Sequence, residues 1–233
     1  MKNLAEEARG IIAETLRQVD VRSVVARHVV REAEILRLGK ESVAVSELDQ
    51  VVVVAVGKAA LPMFEAVRDA LCGLTIRAVV VTNQAAEVGD ATLMTGSHPL
   101  PDVASYAAAE AVLGLLREVT ARTAVLFLIS GGASAMLEKP LDTRISTGDT
   151  AAFYQALIGS GLPIAQMNAL RKHFSAVKGG RLAVAAGAAR MQYTMLISDV
   201  PVGMPDAIGS GPSLPDSTFA ARGAHRRQPL DFR

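Results

Sequence analysis

A doubly wound, Rossmann-like α/β sheet, mainly parallel and flanked by helices, is the fold this sequence predicts. Three apolar runs carry the prediction: Val51–Val56, Ala124–Ile129 and Met195–Ile197. They are rich in Val, Ile and Leu and show no alternation, as expected of strands buried on both faces. Each run ends abruptly in small or reactive residues: Gly57-Lys58, Ser130-Gly131-Gly132-Ala133-Ser134, and Ser198-Asp199. Ligands of open α/β sheets bind beyond the carboxyl ends of the strands, so these three ends form a candidate kit for a phosphorylated ligand.

The elements follow in order. Residues 3–19 have Leu4, Ala8, Ile11, Ile12 and Leu16 at helical spacing, and a second helix is expected from Val21 to Leu36, stopping at Gly39. A strand at 49–56 leads into a helix from Gly57 to about Leu71, with Pro62 tolerated in its first turn. Strands are expected at Arg77–Thr82 and Ala91–Thr95. Asp102, in the turn Pro99–Asp102, can cap a helix over Val103–Val119. After the strand Ala124–Ile129 come helices near Asp149–Ser160, Pro163–Phe174 and Gly180–Arg190, then a strand over Tyr193–Ser198. Strands alternating with helices in this way indicate βαβ units.

The chain has 233 residues, half of them hydrophobic and a fifth charged, with a formal net charge of +1. This composition fits a globular core-former and gives no bulk attraction to nucleic acid or anionic membrane. No run reaches the roughly 18–20 apolar residues of a membrane helix, and the acidic N-terminus is unlike a signal peptide, so a cytoplasmic protein is expected. Cys72 is the only cysteine, expected as a small buried helix residue.

The motifs each have two readings. Lys58, where a strand becomes a helix, can hold an anion with the neighbouring amides, or be a solvent-facing lysine. The loop Ser130–Ser134 can form an anion nest, since its glycines allow close backbone approach, or be a plain turn. Neither the Walker spacing nor the dinucleotide fingerprint is present. Asn168, Arg171, Lys172, His173, Ser175, Lys178 and Arg181 crowd one stretch, either a solvated helix face or, at Lys178-Gly179-Gly180-Arg181, a turn suited to a polyphosphate. Asp199 can hold Mg²⁺ or orient a hydroxyl, or merely cap a turn; His98 can line a ligand rim or sit in a rigid turn.

Six segments in one order resemble the class II glycerate kinases, the ATP-dependent glycerate 2-kinases: Val56–Ala60, Gly96–Asp102, Ile129–Ala135, Asn168–Ala183, Ile197–Pro201 and Ile208–Asp216. The resemblance covers about residues 1–218. It implies phosphoryl transfer from ATP, with Mg²⁺, to the 2-hydroxyl of D-glycerate. Carried onto this sequence, it makes Lys58 an active-site lysine, Gly57 and the Ser130–Ser134 loop a phosphate cradle, and Lys178, Gly179, Gly180 and Arg181 further active-site surface. His98, Asn168, Arg171, Lys172 and Ser175 become substrate-binding candidates. Asp199, from its position at a strand end, is added as a catalytic and metal candidate.

Two departures qualify the resemblance. The family's Gly-Asp-Asp stretch is replaced by Val202–Asp206, leaving only Asp206 as a carboxylate there. Family members also carry a second, cleft-closing domain with a catalytic arginine. Here the pattern dissolves at about Phe219 into a basic tail, 219–233, with Arg222, Arg226, Arg227 and Arg233. The expectation is an N-terminal kinase domain lacking its partner domain and catalytically incomplete. The alternatives are a non-catalytic nucleotide- or anion-binding half-enzyme and, with less support, a hydroxypyruvate reductase, for which the dinucleotide fingerprint is missing. The sequence leaves open whether the chain forms a homo-oligomer.

Overall fold

A computed structural model describes residues 4–18, 20–198 and 203–216. Two helices, α1 (Leu4–Gln18) and α2 (Val21–His28), are followed by three short strands, β1 (Val29–Glu32), β2 (Ile35–Leu38) and β3 (Glu41–Ala44). The alternating part of the chain then supplies β4 (Gln50–Val56), α3 (Ala60–Ala70), β5 (Ile76–Thr82), β6 (Thr92–Thr95), α4 (Val103–Arg117) and β7 (Thr123–Ser130). It continues with α5 (Ala133–Met136), α6 (Thr147–Gly159), α7 (Ile164–Phe174), α8 (Arg181–Ala185) and β8 (Met191–Ile197), and a 3₁₀ segment at Pro205–Ser210.

Strands β4 to β8 form one parallel sheet in the order β6-β5-β4-β7-β8. The chain starts at the centre, winds outward through β5 and β6, and returns to wind the other way through β7 and β8. The order therefore reverses between β4 and β7, which is the crevice where α/β sheets bind ligands. The β4 and β7 runs are uninterrupted because both faces are covered, whereas β8, expected to be buried on both faces, lies at the sheet edge and is half-buried except at Met195. Val51, Val53 and Ala55 of β4 pack with α3 and the small antiparallel sheet, whereas Val52, Val54 and Val56 pack with α4. Burying one such valine or leucine contributes about 1.5–3 kcal/mol, and all eight residues of β7 are buried.

Three local expectations are corrected. Residues 29–38 are not helical: α2 stops at His28 and the chain turns through β1 and β2, paired antiparallel. The β-branched pair Val29-Val30 favours a strand, and Val29, Leu36, Leu38 and Val43 enter the core beside α3. The helix expected to Arg190 ends at Ala185. Cys72 is exposed, because α3 ends at Ala70 and Cys72 falls in the following turn, beside Gly73 at φ +84°. Among the described residues no helix is long and apolar enough to cross a membrane.

Candidate active site

Parallel register sets Val56 beside Val81 and Ile129, and Ser130 beside Ile197. Gly57, Ser130 and Ser198 therefore share one edge of the sheet, at and beside the switch point. Gly57 is fixed there by conformation and space: its φ is +120°, and a β-carbon would lie 2.4 Å from Ser130 Oγ. Ser130 is buried; its hydroxyl accepts from the Ala59 amide at 3.0 Å and donates to the Val56 carbonyl at 3.4 Å. The Lys58 amide donates to Gly131 O at 2.9 Å. Ser130 thus acts as a clamp between two strand ends, and its hydroxyl is engaged internally.

The clamp leaves the lysine side chain exposed above the glycine loop. Gly132, left-handed at φ +89°, sits between two candidate residues: a β-carbon there would lie 3.4 Å from both Lys58 Cγ and His98 Cδ2. His98 is carried by the strap between β6 and α4. The Gly96 amide bonds Thr82 O at 3.0 Å, the Ser97 amide bonds Ser105 Oγ at 3.3 Å, and Asp102 caps α4 by accepting from Ala104 N and Ser105 N. Burial, and then the Lys58 ammonium, hold the His98 pKa below the ordinary imidazole value. In the loop, the amides of Gly131, Gly132, Ala133 and Ser134 donate to no backbone carbonyl among the described residues. Amides in a first helical turn lack intrahelical acceptors.

Beside the loop opens a cavity of about 280 Å³, lined in part by His98, Gly132, Ser134, Tyr154, Asn168 and Arg171. A polar chain runs along it: Ser134 Oγ meets Ser210 Oγ at 3.0 Å, Ser210 donates to Asn168 Oδ1 at 3.2 Å, and Arg171 Nη1 donates to the same oxygen at 3.3 Å. The Arg171 guanidinium lies 4.9 Å from the Tyr154 ring centre. Gly57, Lys58, His98, the Gly131–Ser134 loop, Asn168 and Arg171 are thus gathered at one end of the sheet.

The remaining candidates among the described residues are taken up in the packing. Lys178 is buried, and its ammonium donates to Glu138 at 2.8 Å and to Leu137 O at 2.9 Å. Tyr154 donates to the same Glu138 carboxylate. Burial pushes the Lys178 pKa down, opposed by Glu138, and pushes the Tyr154 hydroxyl well up, with Glu138 adding to the rise. Gly179 N, Gly180 N and Leu182 N donate to Ser210 O, Gly211 O and Pro212 O, and Arg181 donates to the carbonyls of Lys172 and Lys178. This turn therefore fastens the 208–212 segment; its amides and ammonium do not face the Lys58 cluster. Lys172, also buried, pairs with Asp206 at 2.8 Å and Asp216 at 3.0 Å. The buried Ser175 hydroxyl accepts from Val177 N. Asp199 and the tail 219–233 lie outside the described residues.

Sequence reasoning missed Glu138, Tyr154 and Ser210. Nothing in the motif Met136-Leu137-Glu138-Lys139 marks the glutamate as the buried one, and Ser210 lies in the resemblance segment Ile208–Asp216, to which the resemblance attaches no site role.

A family model described as a domain of unknown function, DUF4147, matches residues 7–227. The chain belongs to the DUF4147 family. Among its relatives, a D-glycerate 2-kinase from Thermotoga maritima is 37% identical over 185 residues, covering 78% of this chain and 44% of that protein. An Agrobacterium vitis protein provisionally named hydroxypyruvate reductase is 41% identical over 175 residues, 74% of this chain and 40% of that protein. The crystal structure of a glycerate kinase from Thermotoga maritima superposes with a TM-score of 0.77 at 32% identity, covering 92% of this chain and 49% of the other. This DUF4147 chain therefore shares its family and its α/β fold with glycerate kinases, and it spans about half the length of the relatives it matches.

Proposed function

We propose that this chain carries the phosphate-handling face of an ATP-dependent glycerate 2-kinase, which transfers the γ-phosphoryl group to the 2-hydroxyl of D-glycerate to give 2-phosphoglycerate. The observation that supports it most is the convergence of Lys58, Gly132 and His98 at the sheet's switch point, next to a small polar cavity. Phosphoryl transfer asks for positioning and charge neutralisation more than for covalent help. In this reading the Lys58 ammonium and the loop amides hold phosphate oxygens, and Gly132 lets them approach the backbone. The bond from Pγ to the bridging oxygen breaks as the 2-hydroxyl oxygen binds phosphorus and its proton leaves. His98, kept neutral by burial and Lys58, is the acceptor the described residues offer that hydroxyl.

The described residues supply no ready-made cage for Mg²⁺, an ion commonly held by one or two carboxylates together with substrate phosphates. No group of three or more His, Cys, Asp or Glu side chains gathers among them, and Asp206 and Asp216 both bind Lys172.

Since the chain matches about half the length of its relatives, ligand binding is the test suited to it. Lys58→Ala should weaken ATP binding at least tenfold in calorimetric titration while leaving the thermal midpoint nearly unchanged, because an exposed lysine adds little to the core. An unchanged ATP dissociation constant would sink the reading.

A further inference from the structure

Strand β8 ends the five-stranded sheet: among the described residues it pairs with β7 on one side and with no strand on the other. A sheet edge presents a row of N–H and C=O groups ready to take a further strand, and native proteins blunt such edges with short strands, charges or proline. The other edges of this protein are blunted in that way. β1, β3 and β6 are each four residues long, and β1 and β3 carry Arg31, Glu32 and Glu41. β8 has none of these devices. Its seven residues, Met191–Ile197, include no charge, proline or glycine, and the neighbouring Arg190 is engaged by Glu47 at 2.9 Å. Tyr193, Thr194 and Ile197 are residue types that favour strands. Side chains on both faces are already held within the chain. Gln192 donates to Ala183 O and Ala186 O, Thr194 Oγ1 meets Ser213 Oγ at 2.9 Å, and Tyr193 lies against Gly39. The edge is thus preformed, which lowers the ordering cost of adding a strand.

We propose that β8 is the docking edge for a second copy of this chain, two β8 strands pairing antiparallel about a two-fold axis at Thr194. A second copy fits because the strand complements itself. In that register Thr194 meets Thr194, Tyr193 meets Met195, Gln192 meets Leu196 and Met191 meets Ile197, so no like charges stand opposite one another. A two-fold contact of this kind uses the same patch on both subunits. It joins the two five-stranded sheets into one and keeps each covered face continuous. The carboxyl ends of the strands in the two halves then point in opposite directions, so each Lys58 turn stays clear of the other copy. The proposal is independent of the kinase reading.

Sedimentation velocity of the full chain, at micromolar and at hundredfold higher concentration, tests the edge together with hydrogen exchange under both conditions. Wild type should be dimeric at the higher concentration, where the β8 amides facing away from β7 should exchange at least fivefold more slowly and the β6 amides should not change. Thr194→Lys and Thr194→Glu each set like charges face to face and should be monomeric, and an equimolar mixture of the two should restore the dimer. Should either variant not fold, the wild-type exchange decides by itself. A wild type that stays monomeric, a dimer whose β8 exchange is independent of concentration, or a dimer that persists in both single variants overturns the proposal. Protected β8 amides in a monomer would do the same, by showing that the chain covers its own edge.

Discussion

Gly57 and Ser130 are in contact through the space a side chain would need: a β-carbon on Gly57 would stand 2.4 Å from Ser130 Oγ and 2.6 Å from its carbonyl oxygen. The two residues end neighbouring strands, so this contact sets how closely the lysine turn and the glycine loop approach. Gly57→Ala should lower unfolding free energy by about 2–6 kcal/mol, since backbone strain at positive φ and overpacking each cost about 1–3 kcal/mol. Urea denaturation measures it. A neutral substitution would show that the two strand ends can separate freely, and the site geometry would lose its anchor.

The buried pair Lys178–Glu138 gives a second prediction. Removing one partner strands a charge inside the protein, which typically costs about 3–5 kcal/mol. Lys178→Met should therefore be strongly destabilising, and the double variant Lys178→Met with Glu138→Gln should recover part of the loss. A double variant less stable than Lys178→Met alone would show that Glu138 is held by Tyr154 independently of the lysine.

These cases also mark where the sequence could be read and where it could not. The runs 51–56 and 124–129 announce buried strands because apolar continuity leaves few alternatives, and register then brings Gly57, Ser130 and Ser198 to one edge. Val29–Leu38 misled because a short apolar stretch suits a helix or a strand, and packing under α3 decided between them. The stretch from Asn168 to Arg181 reads from sequence as either a solvated helix face or, at Lys178–Arg181, a turn suited to a polyphosphate. It divides because partners distant in sequence claim the charges: Glu138 lies 40 residues from Lys178, while Asp206 and Asp216 lie 34 and 44 from Lys172. Local pattern holds no record of such pairings, whereas Arg171, three residues or about one helical turn from Asn168, lines the same cavity as that residue.

Lys172 ties α7 to the 205–216 segment, so its removal should be felt at a distance. Lys172→Met leaves Asp206 and Asp216 without their shared cation and should cost about 3–5 kcal/mol. Hydrogen exchange gives the sharper readout. The amides of Gly179, Gly180 and Leu182, which bond Ser210, Gly211 and Pro212 carbonyls, should lose more protection than the sheet amides. Uniform loss across the protein would mean that the segment has no independent opening.

His98 offers a titration that reads the site directly. Burial first, and the Lys58 ammonium second, hold its pKa below the ordinary 6.5. The folded state thus takes up its proton at lower pH than the unfolded chain. This group costs no stability above about pH 6.5; stability falls as pH drops through the window between the unfolded and folded values, and then levels off. Ring-proton NMR, with the His98 signal assigned from His98→Gln, should give a value below that of a free imidazole. Lys58→Ala removes the second cause, so the value should rise but stay below 6.5, since burial remains. Phosphate or ATP bound beside Lys58 should raise it too, through added negative charge. If Lys58→Ala leaves the His98 titration where it was, the two side chains do not share a field, and the convergence at Gly132 would not be an electrostatic site.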